Sequence, residues 1–148
     1  MAHTSGNILL HFIFSTLERR RMIRPEFRDD LFAYLGGIVR GLNGTALAVN
    51  GMPDHVHMLL RVRPSQSAAE IARVTKTNSS RWVREKWAPH FAWQTGYGVF
   101  SVSESSVPAV TTYIARQKEN HRKISFQEEF VAFLKKNRIE YDERYIWD

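Results

Sequence analysis

His55 and His57 stand one residue apart in the segment GMPDHVHMLL. If that segment is a β-strand, alternation sends both imidazoles to one face and Val56 to the other. Two neutral imidazoles on one face can hold a divalent metal. A second group stands downstream. Val110, Tyr113, Gln117 and Asn120 or His121 recur three or four residues apart and share a stripe if the segment is helical. A glutamine amide oxygen can complete a metal site built from two histidines. A phenol one turn away would reach a phosphate polarised by that metal. Attack by a tyrosine oxygen on a phosphodiester gives a covalent phosphotyrosine and frees a 3′-hydroxyl. With an ordinary pKa of about 10, tyrosine needs help from a metal or a basic group to act at neutral pH.

These groups need a scaffold. Asn7 to Thr16, NILLHFIFST, is apolar on both faces and predicts a central strand. His11 within it is either a buried, hydrogen-bonded core residue or a neighbour of the site. Pro25 can open a helix, which Phe27, Leu31, Leu35, Ile38 and Leu42 continue and Gly41 to Gly44 end. Thr45 to Asn50 predicts a second strand, GMPD a turn, and His55 to Val62 a third strand returning in a hairpin. Ser67 and Glu70 read as a capping box for a helix to about Trp87. Its KTNSS stretch is a poor helix former and marks either a functional segment or a surface bend. Trp87, Phe91, Trp93 and Tyr97 are either core or a platform for stacked bases. Tyr97 to Ser103 predicts the fourth strand. A third helix is expected from Pro108 to about Arg122, and a fourth, capped by Ser125 and Glu128, turns Phe130, Phe133 and Leu134 inward. Tyr141, Tyr145 and Trp147 in the tail are expected to pack back on the domain or on a partner subunit. The order β-α-β-β-α-β then two helices predicts an α+β fold. It is the ferredoxin-like split βαβ, a four-stranded antiparallel sheet with helices on one face, plus C-terminal helices.

The 148 residues are expected to form one domain, 1–148, with 126–148 as a helical and aromatic extension. The net charge of +6 favours a polyanionic partner. Arg19, Arg20, Arg21 and Arg24 make a basic loop, and Arg73, Lys76 and Arg81 lie on the second helix. Each set is either a solvated face or a phosphate contact. The chain has no cysteine, which excludes disulfides, thiolate zinc sites, iron–sulfur ligation and a cysteine nucleophile. The start carries no basic leader, and no apolar run approaches a membrane span, so a soluble cytoplasmic protein is expected.

The chain resembles the small single-strand DNA transposases of the HUH superfamily, the single-tyrosine enzymes of the simplest insertion sequences, and their repeat-associated relatives. The resemblance rests on Met52, Pro53, Asp54, His55, Val56 and His57, on Tyr113, Ile114 and Gln117, and on Lys76, Ser79 and Ser80. It covers about residues 5 to 125. It implies a metal, Mg2+ or Mn2+, held by His55, His57 and Gln117, with Tyr113 as nucleophile. It also implies single-stranded DNA with hairpin ends as substrate, and a homodimer in which the tyrosine helices can be exchanged. Arg19, Arg20, Arg21, Arg73, Lys76 and Arg81 are the expected DNA contacts. Asp54 either orients a ligand histidine or only shapes the turn. His121 either approaches the phosphate or caps a helix end. Two other readings stand beside a mobile-element transposase: a domesticated, repeat-associated nickase, and a non-catalytic nucleic-acid-binding protein with structural histidines.

Overall fold

The computed structural model describes residues 3–148. Four strands, β1 (Ile8–Ser15), β2 (Thr45–Met52), β3 (His55–Val62) and β4 (Gly98–Val102), form one antiparallel sheet in the order β2-β3-β1-β4. β1 and β3 are central, which is why both read as nearly continuous apolar runs. Phe12, Phe14, Val56, Met58 and Leu60 point to one face. There they meet Phe27, Leu31 and Leu35 of α1 (Pro25–Gly41) and Ile71 and Val83 of α2 (Ala68–Lys86). The alternate residues, His11, Ile13, His55 and His57, face the other way. That face is covered by α3 (Val107–Ala115), α4 (Gln117–Asn120) and α5 (Phe126–Lys136), with Ile13 and Phe100 packed against Phe126, Phe130 and Leu134. The expected ferredoxin-like arrangement is therefore present, with α1 and α2 on one face and the C-terminal helices across the other.

The hairpin that carries the histidines is tight. Met52 pairs with His55, leaving Pro53 and Asp54 as the turn. The Pro53 and Asp54 carbonyls accept hydrogen bonds from Ile23 N–H (2.9 Å) and Thr16 N–H (2.9 Å). Gly51 lies so close to the returning strand that a Cβ would sit 2.2 Å from the His55 carbonyl oxygen and 2.9 Å from Val56 Cα. Both are backbone atoms of a central strand and have no room to retreat. Gly51→Ala is expected to destabilise the protein by about 2 kcal/mol or more, read as a lower melting temperature; an unchanged melting temperature would show that the hairpin yields.

Several elements differ from expectation. The third helix does not run to Arg122: it breaks at Arg116 (φ −100°, ψ 31°), giving α3 and the short α4. Side chains from elsewhere capture the carbonyls that the break releases. Asn50 Nδ2 donates to Ile114 O (2.9 Å), and Asn120 Nδ2 to Tyr113 O (3.0 Å). Ser67 caps α2 by accepting from Glu70 N–H (3.1 Å), while the Glu70 carboxylate pairs with Arg73. The KTNSS stretch stays helical because its hydroxyls are satisfied within the helix: Ser79 donates to Thr75 O (2.6 Å) and Ser80 to Lys76 O (2.8 Å). Trp93 Nε1 then donates to Ser79 Oγ (2.9 Å), and Trp93 and Phe91 are buried, so this part of the aromatic loop is core. In the tail, Trp147 packs on Phe126 and Phe130, whereas Tyr145 is exposed. Among the described residues no helix is long and apolar enough to cross a membrane.

Candidate metal and tyrosine site

β3 delivers His55 and His57 to the face away from α1 and α2, both fully buried. In the register of the sheet, Ile13 lies opposite His57 and Ser15 opposite His55. Each ring is fixed through its outer nitrogen. His55 Nδ1 donates to the Asp54 carboxylate (2.7 Å), and His121 Nδ1 donates to the Ile124 carbonyl (3.0 Å). His57 Nδ1 lies 2.9 Å from His11 Nε2. The Nε2 atoms of His55, His57 and His121 are thereby turned inward.

They converge on one carboxylate oxygen. Glu129 of α5 places Oε1 at 3.0 Å from His57 Nε2, 3.2 Å from His121 Nε2 and 3.5 Å from His55 Nε2. Its other oxygen accepts a hydrogen bond from the Tyr113 hydroxyl. Gln117, fully buried at the start of α4, sets Oε1 3.0 Å from His55 Nε2 and leaves its Nε2 without a partner. The Tyr113 ring lies edge-on to His57, with centroids 5.9 Å apart. All of this is built within one chain.

The electrostatics follow from burial and that carboxylate. Burial alone would raise the Glu129 carboxyl, but hydrogen bonds to His121 and His57 and the neighbouring imidazoles hold it well below the usual carboxylate range. Burial works against charge on His121 too, yet Glu129 raises it. Burial lowers His57 despite the same carboxylate. The metal-free site thus holds an ionised Glu129, which favours a proton on His121, while burial disfavours one on His57. Burial, reinforced by Glu129, pushes the Tyr113 phenol up. Asp54 stays below its ordinary value: burial raises it, and the His55 contact more than offsets this.

The donor set suits a divalent cation. One ligand atom from each of His55, His57, His121 and Glu129 lies within 4.8 Å of the others. When neutral, the inward imidazole nitrogens of His55 and His121 present lone pairs to an anionic oxygen. That arrangement asks for positive charge between them, as protons or as a metal ion. Three nitrogens and a carboxylate oxygen match the ligand types of borderline divalent ions.

His11 adds a pH dependence. Burial, then the charge of His57, lowers its pKa to about 3. The folded state therefore binds fewer protons at His11 than the unfolded state from about pH 6.5 down to about pH 3. Each pH unit lost in that window is expected to cost up to about 1.4 kcal/mol. His121, raised in the folded state, opposes this at higher pH. Acid unfolding followed by circular dichroism should show His11→Phe flattening the slope between pH 6 and pH 4; an unchanged slope would remove His11 from the account.

Asp54, His55, His57, Tyr113, Gln117 and His121 therefore meet in one place. The basic residues do not join them. Arg73 and Arg81 are exposed on α2, in the layer behind the opposite face of the sheet, where Arg73 pairs with Glu70. Lys76 donates to the Thr95 and Gly96 carbonyls (both 2.8 Å), and burial lowers its pKa to about 8, so its ammonium is occupied inside the molecule. Arg19 covers the Trp147 ring at 5.1 Å, Arg20 pairs with Glu18 (3.1 Å), and Arg21 is exposed. Glu129 is the residue that sequence reasoning missed. Its signal was present: Phe126, Glu129, Phe130 and Phe133 share one helical face, so a carboxylate stands in an apolar stripe.

A buried pair of strand histidines facing a helix tyrosine, on a ferredoxin-like sheet, defines the HUH single-tyrosine class. The family profile described as "Transposase IS200 like" matches residues 4–117, and the chain belongs to that family. It is 27% identical over 116 residues to the ISDra2 transposase TnpA of Deinococcus radiodurans, covering 74% of this chain and 83% of that one. It is 27% identical over 129 residues to the transposase for insertion sequence element IS200 of Salmonella typhimurium, covering 82% and 84%. A crystal structure of a Deinococcus radiodurans transposase superposes with a TM-score of 0.63 at 27% identity, over 79% of this chain and 98% of that one. A REP-associated tyrosine transposase bound to a REP hairpin shares the fold, with a TM-score of 0.61 at 14% identity over 82% and 74%. The family match ends at Gln117, so His121 and Glu129 lie beyond it.

Proposed function

We propose that the protein is a metal-dependent transposase that cleaves and rejoins single-stranded DNA, recognising hairpins at element ends, with Tyr113 as nucleophile. One observation carries this reading: the Tyr113 hydroxyl and three imidazoles converge on a single buried carboxylate, Glu129, within one chain. His55, His57 and Gln117 would hold Mg2+ or Mn2+, with His121 and Glu129 within reach. Such an ion supplies charge neutralisation at a phosphate oxygen.

The chain's own groups do the rest. Tyr113 Oη attacks the phosphorus, the bond to the 3′ oxygen breaks, and a 5′-phosphotyrosine and a free 3′-hydroxyl result. The phenol gives up its proton as the Oη–P bond forms and the departing 3′ oxygen takes one up from water, so the step is proton-neutral. Glu129, too acidic to keep the proton, accepts the hydroxyl's hydrogen bond and so aims Oη. The ester retains the energy of the cleaved bond, so a second 3′-hydroxyl can reverse the step and join strands. Asp54 fixes the His55 tautomer, and His11 does the same for His57. Arg19, Arg20, Arg21, Arg73 and Arg81 are the proposed phosphate contacts, along DNA that runs outside the reaction centre; Lys76 is committed to the Thr95 and Gly96 carbonyls. A homodimer is compatible with this reading, and exchange of tyrosine helices is not needed to build the site.

The test incubates the protein with Mg2+ or Mn2+ and labelled single-stranded DNA carrying candidate end hairpins. A denaturant-stable adduct whose modified peptide contains Tyr113 is the expected result. Tight single-strand binding with no adduct on any hairpin substrate would instead make the chain a binding protein. Labelled DNA strands flanking genomic copies serve as substrates for both the mobile-element and the host-role forms of this reading.

A further inference from the structure

Beside the site lies a cavity of about 360 Å³ between α3 and α5. Val110 and the Tyr113 ring form its α3 side, Ala132 and Phe133 its α5 side, His11 lies at its base, and Lys136 contributes from the last turn of α5. Its volume falls within the range of small-molecule sites, about 300–1,000 Å³. Its walls are mostly apolar and aromatic, and Ile124, exposed despite its size, is part of the lining. The cavity borders the histidine–carboxylate cluster, since Tyr113 and Glu129, which are hydrogen-bonded to each other, both line it.

We infer that this cavity holds one unpaired nucleobase next to the phosphate presented to Tyr113. The inference rests on the single-strand DNA reading above. A phosphorus within attacking distance of Tyr113 Oη lies about 3–3.5 Å from it. A nucleoside flanking that phosphate is then within reach of the cavity that Tyr113 lines. The base is the apolar, planar part of a polyanion, and an aromatic pocket is where it gains by leaving water. Phe133 is held for that purpose: its ring stacks on Phe100 with centroids 5.2 Å apart and stands edge-on to His11 at 5.3 Å. Lys136 is the one cationic side chain in a lining that also holds the Glu129 carboxylate, His11 and Tyr113, and it suits the next phosphate along the strand. A base inside a duplex cannot enter, so the cavity selects single strands by requiring an unpaired base.

The experiment uses the full chain with isotope-labelled methyl groups and follows Val110, Ile124 and Ala132 by NMR. Three probes are titrated in the presence of Mg2+: a random-sequence single-stranded 20-mer, a trinucleotide, and the same trinucleotide with an abasic centre. The 20-mer and the intact trinucleotide are expected to shift these methyls, and the abasic form to bind at least tenfold more weakly. Ala132→Trp, which fills the cavity from an exposed position on α5, should remove that tenfold difference, while Ala132→Ser should keep it. Equal binding of the intact and abasic trinucleotides would overturn the proposal, as would 20-mer binding that leaves the three methyls unmoved. In both cases single-strand binding itself would stand. Failure of the 20-mer to bind at all would remove the DNA reading and the base pocket together.

Discussion

Tyr113→Phe is expected to lower single-strand cleavage by about a thousandfold or more and to abolish the covalent adduct. The substitution keeps the ring that packs against His57 and Phe133 and deletes only the hydroxyl that donates to Glu129. Losing a hydrogen bond to a charged acceptor costs about 1.5–3 kcal/mol, so the variant should fold with a modestly lower melting temperature. Divalent-metal binding should change little, because the imidazoles remain. That combination separates a lost nucleophile from a damaged site. Cleavage at the wild-type rate would assign the nucleophile elsewhere, and loss of metal binding together with cleavage would point to structural collapse.

The second large effect is at Glu129. Its carboxylate is almost wholly buried and faces three imidazoles and a phenol. Glu129→Ala removes the acceptor of His57 and Tyr113 and the negative charge that His55 and His121 face, and breaking a buried ionic network by removing one partner costs about 3–5 kcal/mol. The metal-free variant should therefore melt well below the wild type at pH 7. Because Glu129 is ionised well below its usual range, this stabilisation is fully present above about pH 4.5 and is lost as pH falls further. The two proteins should converge in acid. Added Mn2+ should restore part of the loss, since His55, His57 and Gln117 remain to bind it, with affinity reduced about 10- to 100-fold. Calorimetry with and without Mn2+ reads both quantities. A variant as stable as the wild type without metal would show that the imidazoles need no counter-charge.

Much of the fold is legible in the chain because it depends on local pattern. The two-residue alternation from His55 to Val62, the two-faced apolar run from Ile8 to Ser15, and the helical spacing from Phe27 to Leu35 each name an element and the side it buries. The break at Arg116 was not legible, because it depends on Asn50, a residue far away in sequence that takes a carbonyl of α3. The same holds for Lys76, whose basic character suggests a phosphate contact until the Thr95 and Gly96 carbonyls are seen around it. At the site, the paired histidines, Tyr113 and Gln117 are visible as spacing. How they meet is not, because the group that gathers them comes from another helix. A carboxylate in the apolar stripe of α5 is a legible oddity, but its partners are set by the packing of α5 over β1 and β3.

Glu129 also gives the site a schedule. His11 is made 118 residues before Glu129, an interval of about 6 to 24 s at synthesis rates of about 5–20 residues per second. All four strands can be made in that time, but the carboxylate that balances the buried imidazoles arrives only with α5. A nascent chain that stops at Ser125 carries every strand, all three strand histidines, Tyr113 and Gln117, and still lacks that charge. Until translation passes α5, Ile13 and Phe100 also have no cover from Phe126, Phe130 and Leu134. Assembly of the reactive centre is thus timed by the ribosome, and an interrupted product is left with the nucleophile but without its acceptor.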